Sequence, residues 1–291
     1  MFETVLFPTD GSVGAFRVLD HVLDLAARHD ATLHVLTVVD REGDQRTADE
    51  SEAESAAETD AEATVAEVTE RADGRGVETH TAVRRGEPFQ TIVDYADGAD
   101  VDLIAMPTHG RSGLERLFLG STTERVVRHA TAPVLTVRPS ADRELAYPYR
   151  RVLVPTDGSE CANEALGVGS DLAVATDARL DVLSVVDVTS FGLDARVDLQ
   201  LDQLESSAQT VVDDAVGVAT DAGLAPDAVT GDVRTGTSPV REINAYVDDN
   251  DVDLVVVGTH GRTGLDRYLL GSVTEKLLRT TTVPVMTVHG P

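Results

Sequence analysis

Short apolar runs alternate along the chain with longer stretches of helical spacing, and the whole alternation occurs twice. Thr4–Phe7 is β-branched and aromatic and stops at Pro8. Ala15, Leu19, Val22 and Ala26 then recur every three to four residues, the mark of a helix with one buried face. Thr32–Val39, Thr79–Val83, Val101–Met106 and Val134–Val137 read as further strands. A helix is predicted from Pro88, where proline suits the first turn, and another over Ser121–His129. Arg151–Val154, Arg179–Val186, Ala228–Val233, Asp253–Val257 and Val285–Val288 repeat the order of strands. The run Leu254-Val255-Val256-Val257 fits a strand buried on both faces. Strands alternating with helices imply right-handed crossovers and a parallel sheet covered on both sides. The expected fold is α/β: two tandem doubly wound, Rossmann-like domains. Ligands of such sheets lie beyond the C-terminal strand ends, where the strand order reverses.

The duplication is visible in the residues themselves. Val5-Leu6-Phe7-Pro8-Thr9-Asp10-Gly11-Ser12 returns as Val152-Leu153-Val154-Pro155-Thr156-Asp157-Gly158-Ser159, at an offset of 147. Thr108–Val137 returns as Thr259–Val288 at an offset of 151, with 18 of 30 positions identical and no gap. One domain is therefore written twice, over 1–139 and 150–291. Residues 140–149, preceded by Pro139, containing Pro148 and showing no apolar period, read as the linker.

Charge changes the picture of the surface. Lys plus Arg is 24 against 51 Asp plus Glu, a net charge of −27, and Lys276 is the only lysine. That balance excludes a general nucleic-acid binder and a protein docked on an anionic membrane, since both need a basic face. Carboxylate excess with almost no lysine fits a halophilic, high-salt cytoplasm, where salt screens the self-repulsion. Glu42 to Glu70 carries eleven acids and one base, and reads as an acidic loop feeding a solvated helix. No apolar run is long enough to span a bilayer, and Met1–Pro8 has no basic region before its apolar stretch, so it reads as a first strand rather than a signal peptide. Cys161 is the only cysteine, so neither an internal disulfide nor a cysteine metal cluster is expected.

Candidate chemistry gathers at the strand ends. Asp10 and Asp157 sit in the turn after the first strand of each half, where a carboxylate either caps the helix or accepts from a ribose hydroxyl. The fourth strand of the second half runs into Gly258-Thr259-His260-Gly261, followed nine residues later by Gly271-Ser272. Glycine lets backbone approach a phosphate closely, and a helix opening at Ser272 offers free N–H groups and a favourable dipole. Residues 259–288 and 108–137 each carry a net +2, two basic islands in an acidic chain. Arg111 and Arg262 lie in the loops themselves and are the best placed to meet phosphate. His109 and His260 match across the repeat and read as turn formers or as a base. No histidines stand at i, i+4, and Asp248, Asp249, Asp251 and Asp253 lack the glycine and terminal glutamate of a calcium loop. No metal held by protein side chains alone is expected. A Walker-type phosphate loop is absent.

These residues resemble the universal stress protein family in its tandem form. The Pro-Thr-Asp-Gly-Ser starts carry the resemblance, with Gly-x2-Gly-x9-Gly-Ser as in the family's ATP-binding members. The resemblance implies, for each half, a five-stranded parallel sheet of order 3-2-1-4-5 with ATP, and Mg2+ alongside it, across the strand ends. In the second half it implies a site at Pro155, Thr156, Asp157, Val185, Gly258, Gly261, Arg262, Gly271, Ser272, Val273 and Thr274. Asp157 would meet the ribose, the Val185 backbone the adenine, and the glycines, Ser272 and Thr274 the phosphates. The matching residues of the first half are Pro8, Thr9, Asp10, Val38, Gly110, Arg111, Gly120, Ser121 and Thr123. There Pro107 replaces the first glycine, which predicts a weaker site. The resemblance also implies pairing through fifth strands, as an internal pseudo-dimer or a homodimer. The expected function is a nucleotide-binding stress or regulatory protein without fast catalysis. The alternatives are a slow ATP hydrolase or phosphotransferase, and a ligand-free dimerisation module.

Overall fold

The computed structural model describes residues 1–40, 48–108, 119–138, 145, 147–189, 197–261 and 270–290, with backbone only at 48–55 and 197–200. The chain divides into two compact units, Phe2–Pro148 and Tyr149–Pro291.

The first unit runs β1 (Thr4–Pro8), α1 (Val13–His29), β2 (Thr32–Val39), α2 (Ala48–Asp73), β3 (Thr79–Arg85), α3 (Pro88–Gly98), β4 (Leu103–Pro107), α4 (Ser121–His129) and β5 (Val134–Val137). β1 pairs in parallel with β2 and β4, β2 with β3, and β4 with β5. The second unit runs β6 (Arg151–Pro155), α5 (Glu160–Thr176), β7 (Arg179–Asp187), α6 (Val197–Asp221), β8 (Val229–Gly236), α7 (Pro239–Asp249), β9 (Leu254–Gly258), α8 (Ser272–Thr280) and β10 (Val285–Val288). Its pairings repeat the scheme: β6 with β7 and β9, β7 with β8, β9 with β10, all parallel. β4 and β9 are buried along their whole length, which requires cover on both faces of each sheet.

The register explains where a crevice can open. β1 pairs with β2 as far as Pro8, but with β4 only at Val5 and Leu6. Likewise β6 pairs with β7 through Pro155, but with β9 only at Val152 and Leu153. The two middle strands thus part company before their C-terminal ends, at the switch point of strand order.

Two elements differ from the sequence expectation. The acidic segment is helical from Ala48, because its alanines and glutamates are strong helix formers; residues 41–47 lie outside the described residues. Tyr147, within the expected linker, packs on α1, with its hydroxyl hydrogen-bonded to the His29 ring and its own ring 6.0 Å from His21. Among the described residues, no helix is long and apolar enough to cross a membrane.

Candidate nucleotide site

Each site is assembled from two backbone clasps at the parted strands. In the second unit the first clasp follows β6. Thr156 N–H donates to Leu183 O of β7 at 2.9 Å, and Thr156 Oγ1 accepts from Gly158 N–H at 3.1 Å. Gly158 has φ of 75°, the left-handed turn that glycine tolerates. Asp157 Oδ1 accepts from Ser159 N–H at 3.0 Å, while Ser159 caps α5 by accepting from Ala162 N–H at 3.3 Å. Serine is therefore the helix cap, and the aspartate holds the turn before it. The first unit repeats this: Thr9 N–H to Leu36 O at 2.9 Å, Asp10 Oδ1 from Ser12 N–H at 3.0 Å, and Ser12 capping Ala15 at 3.2 Å.

The second clasp closes the base of the long loop after β9. Gly271 N–H donates to Thr259 O at 2.7 Å, and Thr274 Oγ1 donates to Gly258 O at 2.7 Å. In the first unit Gly120 N–H reaches Thr108 O at 2.7 Å and Thr123 Oγ1 reaches Pro107 O at 3.0 Å. Both helices that follow, α4 and α8, begin on a glycine without a side-chain cap. Glu275 N–H is the first to bond back, to Gly271 O. The amides of Ser272, Val273 and Thr274 therefore have no intrahelical acceptor and stand at the positive end of the helix dipole.

Between the clasps lies a cavity of about 330 Å³ in the second unit. It gathers Pro155, Thr156, Asp157, Val185, Gly258, Gly261, Gly271, Ser272, Val273 and Thr274. The matching cavity of the first unit, about 290 Å³, gathers Pro8, Thr9, Asp10, Val38, Gly120, Ser121 and Thr123, with Pro107 in the wall. Gly110, Arg111, Arg262 and His109 lie outside the described residues. Each cavity wall includes apolar side chains, Leu183, Val185 and Ile243 in the second unit and Leu36, Val38 and Ile92 in the first. The same walls take in the carboxylate and the start of the following helix. Such a mixed lining suits a ligand with a flat heterocycle and an anionic group.

Sequence reasoning missed part of the apolar lining. Leu36 and Leu183 stand two residues before Val38 and Val185, so strand alternation places each pair on one face. Ile92 and Ile243 stand one turn after Pro88 and Pro239, which also line the cavities. Both signals were present in the spacing. His260 also lines the second cavity, with Nδ1 sharing a hydrogen bond with Thr259 Oγ1 at 2.9 Å. Its Nε2 is buried with no partner among the described residues.

The model of the Universal stress protein family matches this chain twice, over residues 1–138 and 148–289. The protein belongs to that family. This universal stress protein is 34% identical over 146 residues to one from Methanocaldococcus jannaschii, covering 47% of this chain and 83% of that protein. It is 28% identical over 219 residues to one from Mycolicibacterium smegmatis, covering 74% of this chain and 70% of the other. The crystal structure of a universal stress protein from Archaeoglobus fulgidus shares its fold across 98% of both chains, with a TM-score of 0.74 at 23% identity.

Proposed function

We propose that this universal stress protein binds ATP, with Mg2+ as its counter-ion, and acts as a nucleotide-dependent stress regulator rather than as a fast catalyst. The observation that carries the reading is the shared cavity of Asp157 and the α8 amides. A carboxylate able to accept from ribose hydroxyls shares its cavity with an N-terminus suited to phosphate and with apolar side chains. The adenine would lie against Leu183, Val185 and Ile243. Arg262 follows Gly261 in sequence and supplies charge for the phosphates. The second unit is the stronger site.

The test is nucleotide released from heat-denatured purified protein, resolved by chromatography, followed by ATP calorimetry on wild type and Ser272→Glu. Ser272 is exposed, and glutamate at a helix start contributes about 0.3–1 kcal/mol of stability, so the variant folds. Its carboxylate competes for the amides that would hold phosphate. A charged hydrogen bond is worth about 1.5–3 kcal/mol, so ATP affinity should fall roughly 10- to 150-fold. Unchanged affinity would show that the phosphates lie elsewhere. Absence of both co-purified nucleotide and ATP binding would leave the dimerisation module, and turnover with Mg2+ would establish the hydrolase.

A further inference from the structure

On the first unit's sheet, His34 of β2 and His80 of β3 are Cα partners across the parallel pairing. They are distant in sequence, so no ligand spacing announces them. Their ring centroids lie 5.0 Å apart with planes tilted by 38°. His34 Nδ1 is 3.0 Å from Tyr95 Oη of α3. His80 is exposed, and His34 and Tyr95 are half-buried.

We propose that His34 and His80 form a binding site for a divalent transition-metal ion of the zinc, nickel or copper type, with Tyr95 as the residue that orients His34. The spacing fits chelation. With metal–nitrogen bonds of about 2.1 Å, a metal stands about 3.2 Å from each imidazole centroid, and ligand angles of about 90–110° then put the centroids about 4.5–5.2 Å apart. Imidazole prefers these ions over magnesium or calcium. Metal-binding histidines characteristically donate their second N–H to a fixed acceptor, which sets the tautomer. Tyr95 Oη stands where it accepts from Nδ1–H of His34, leaving the Nε2 lone pair for the metal.

The second unit shows what else this place in the fold can hold. His34 corresponds to Asp181, Tyr95 to Tyr246 and Thr4 to Arg151. There Arg151 Nε donates to the fully buried Asp181 at 2.7 Å, so a cation is built into the protein. The first unit has Thr4 in place of that guanidinium and two imidazoles beside it. The site is independent of the nucleotide reading: His34 lies toward the N-terminal end of β2, before Leu36, the first residue of that strand to line the cavity.

The test is calorimetric titration of NiCl2 into metal-stripped protein at about 2 M KCl, where a screening length of about 3 Å or less suppresses diffuse binding to the acidic surface. Wild type should take one Ni2+ saturably, and ZnCl2 should compete. Tyr95→Phe should weaken binding about 10-fold, as loss of an orienting partner does, and His80→Ala by more. Because His80 is exposed, its alanine variant should keep the wild-type far-ultraviolet circular dichroism. His129→Ala, at the end of α4, should bind as wild type does. Saturable binding that His80→Ala leaves within about twofold, such as coordination to a bound nucleotide, would overturn the site. So would binding without saturation.

Discussion

Gly258 reads in the sequence as a phosphate-loop glycine, yet its φ lies outside the left-handed region and its immediate surroundings are protein. A Cβ there would stand 2.7 Å from Cys161 O, 2.8 Å from Cys161 C and 2.9 Å from Cys161 Sγ. Ordinary carbon contacts begin near about 3.5 Å, so β9 or the first turn of α5 would have to move by about 0.7 Å. The opposing atoms are largely backbone and cannot rotate away. Forcing such overpacking costs about 1–3 kcal/mol. Against this, Gly→Ala at a permitted φ reduces the freedom of the unfolded chain and contributes about 0.4–1 kcal/mol of stability. Gly258→Ala should therefore be destabilising by about 1–2 kcal/mol. With φ outside the left-handed region, a glycine kept only for ligand access would make the same change neutral or stabilising, so the sign decides between packing and access.

The first unit supplies the complementary experiment. Pro107 takes the place of Gly258, and the residue matching Cys161 is Gly14. The bulk has moved from the helix to the strand end. Gly14→Cys alone should destabilise, and Pro107→Gly in the same chain should relieve it, with a coupling of roughly 1 kcal/mol or more. With no tryptophan in the chain, urea unfolding at high salt is best followed by far-ultraviolet circular dichroism. A Gly258→Ala protein as stable as wild type, or additive effects at Gly14 and Pro107, would refute the packing argument. Pro107 would then return to its first reading, as a residue that weakens the first nucleotide site.

Three further outcomes follow from buried charge and from surface charge. Arg151→Met strands the fully buried Asp181 and should destabilise by about 3–5 kcal/mol in urea unfolding, whereas a loss under about 1 kcal/mol would mean that solvent reaches the carboxylate. Burial on α1 pushes the His21 pKa down to about 4. Below about pH 6.5 the unfolded chain takes this proton first, so stability present above that pH drains away towards about pH 4, by about 3 kcal/mol in total. His21→Leu should remove that component of the pH profile, and parallel profiles for the two proteins would contradict it. Finally, with a net charge of −27, melting midpoints should rise from about 0.1 to 1 M KCl as the screening length falls from about 10 to 3 Å; a flat or falling midpoint would contradict the reading of the surface.

The α/β alternation and its duplication were legible because the buried strands leave little choice of residue: Leu254–Gly258 is apolar or glycine throughout and buried throughout. Ser121–His129 was legible to the residue, since glycine and serine mark its start and the apolar period ends with it. The start of α2 was not legible. There the density of acid suggested a loop, while the alanines and glutamates of the same segment carry helix propensity that needs no partner. Within the site, the sequence left Asp10 and Asp157 open between cap and ligand. Only the backbone geometry shows that Ser12 and Ser159 perform the capping. The glycine pattern marked the right loop but hid the reason for Gly258, because the partner it packs against is a carbonyl on another element, which no local pattern records.

The two halves together separate what the fold requires from what it permits. The threonine contact to β2 or β7, the aspartate turn, the serine cap and the glycine–threonine bond across the loop base recur with the same atoms in both units. These bonds keep two parted strands open, and each satisfies backbone groups that would otherwise be stranded near a buried crevice. Side chains that merely fill the frame have changed as sets: Pro107 with Gly14 against Gly258 with Cys161, and Thr4 with His34 against Arg151 with Asp181. Bulk added at both positions of the first set would clash, and the Asp181 carboxylate without its arginine would be an unpaired buried charge, so the members of each set are coupled. The repeated backbone clasp thus marks the cavity as the common property of the two units, and the exchanged sets mark where each half is free to acquire chemistry of its own.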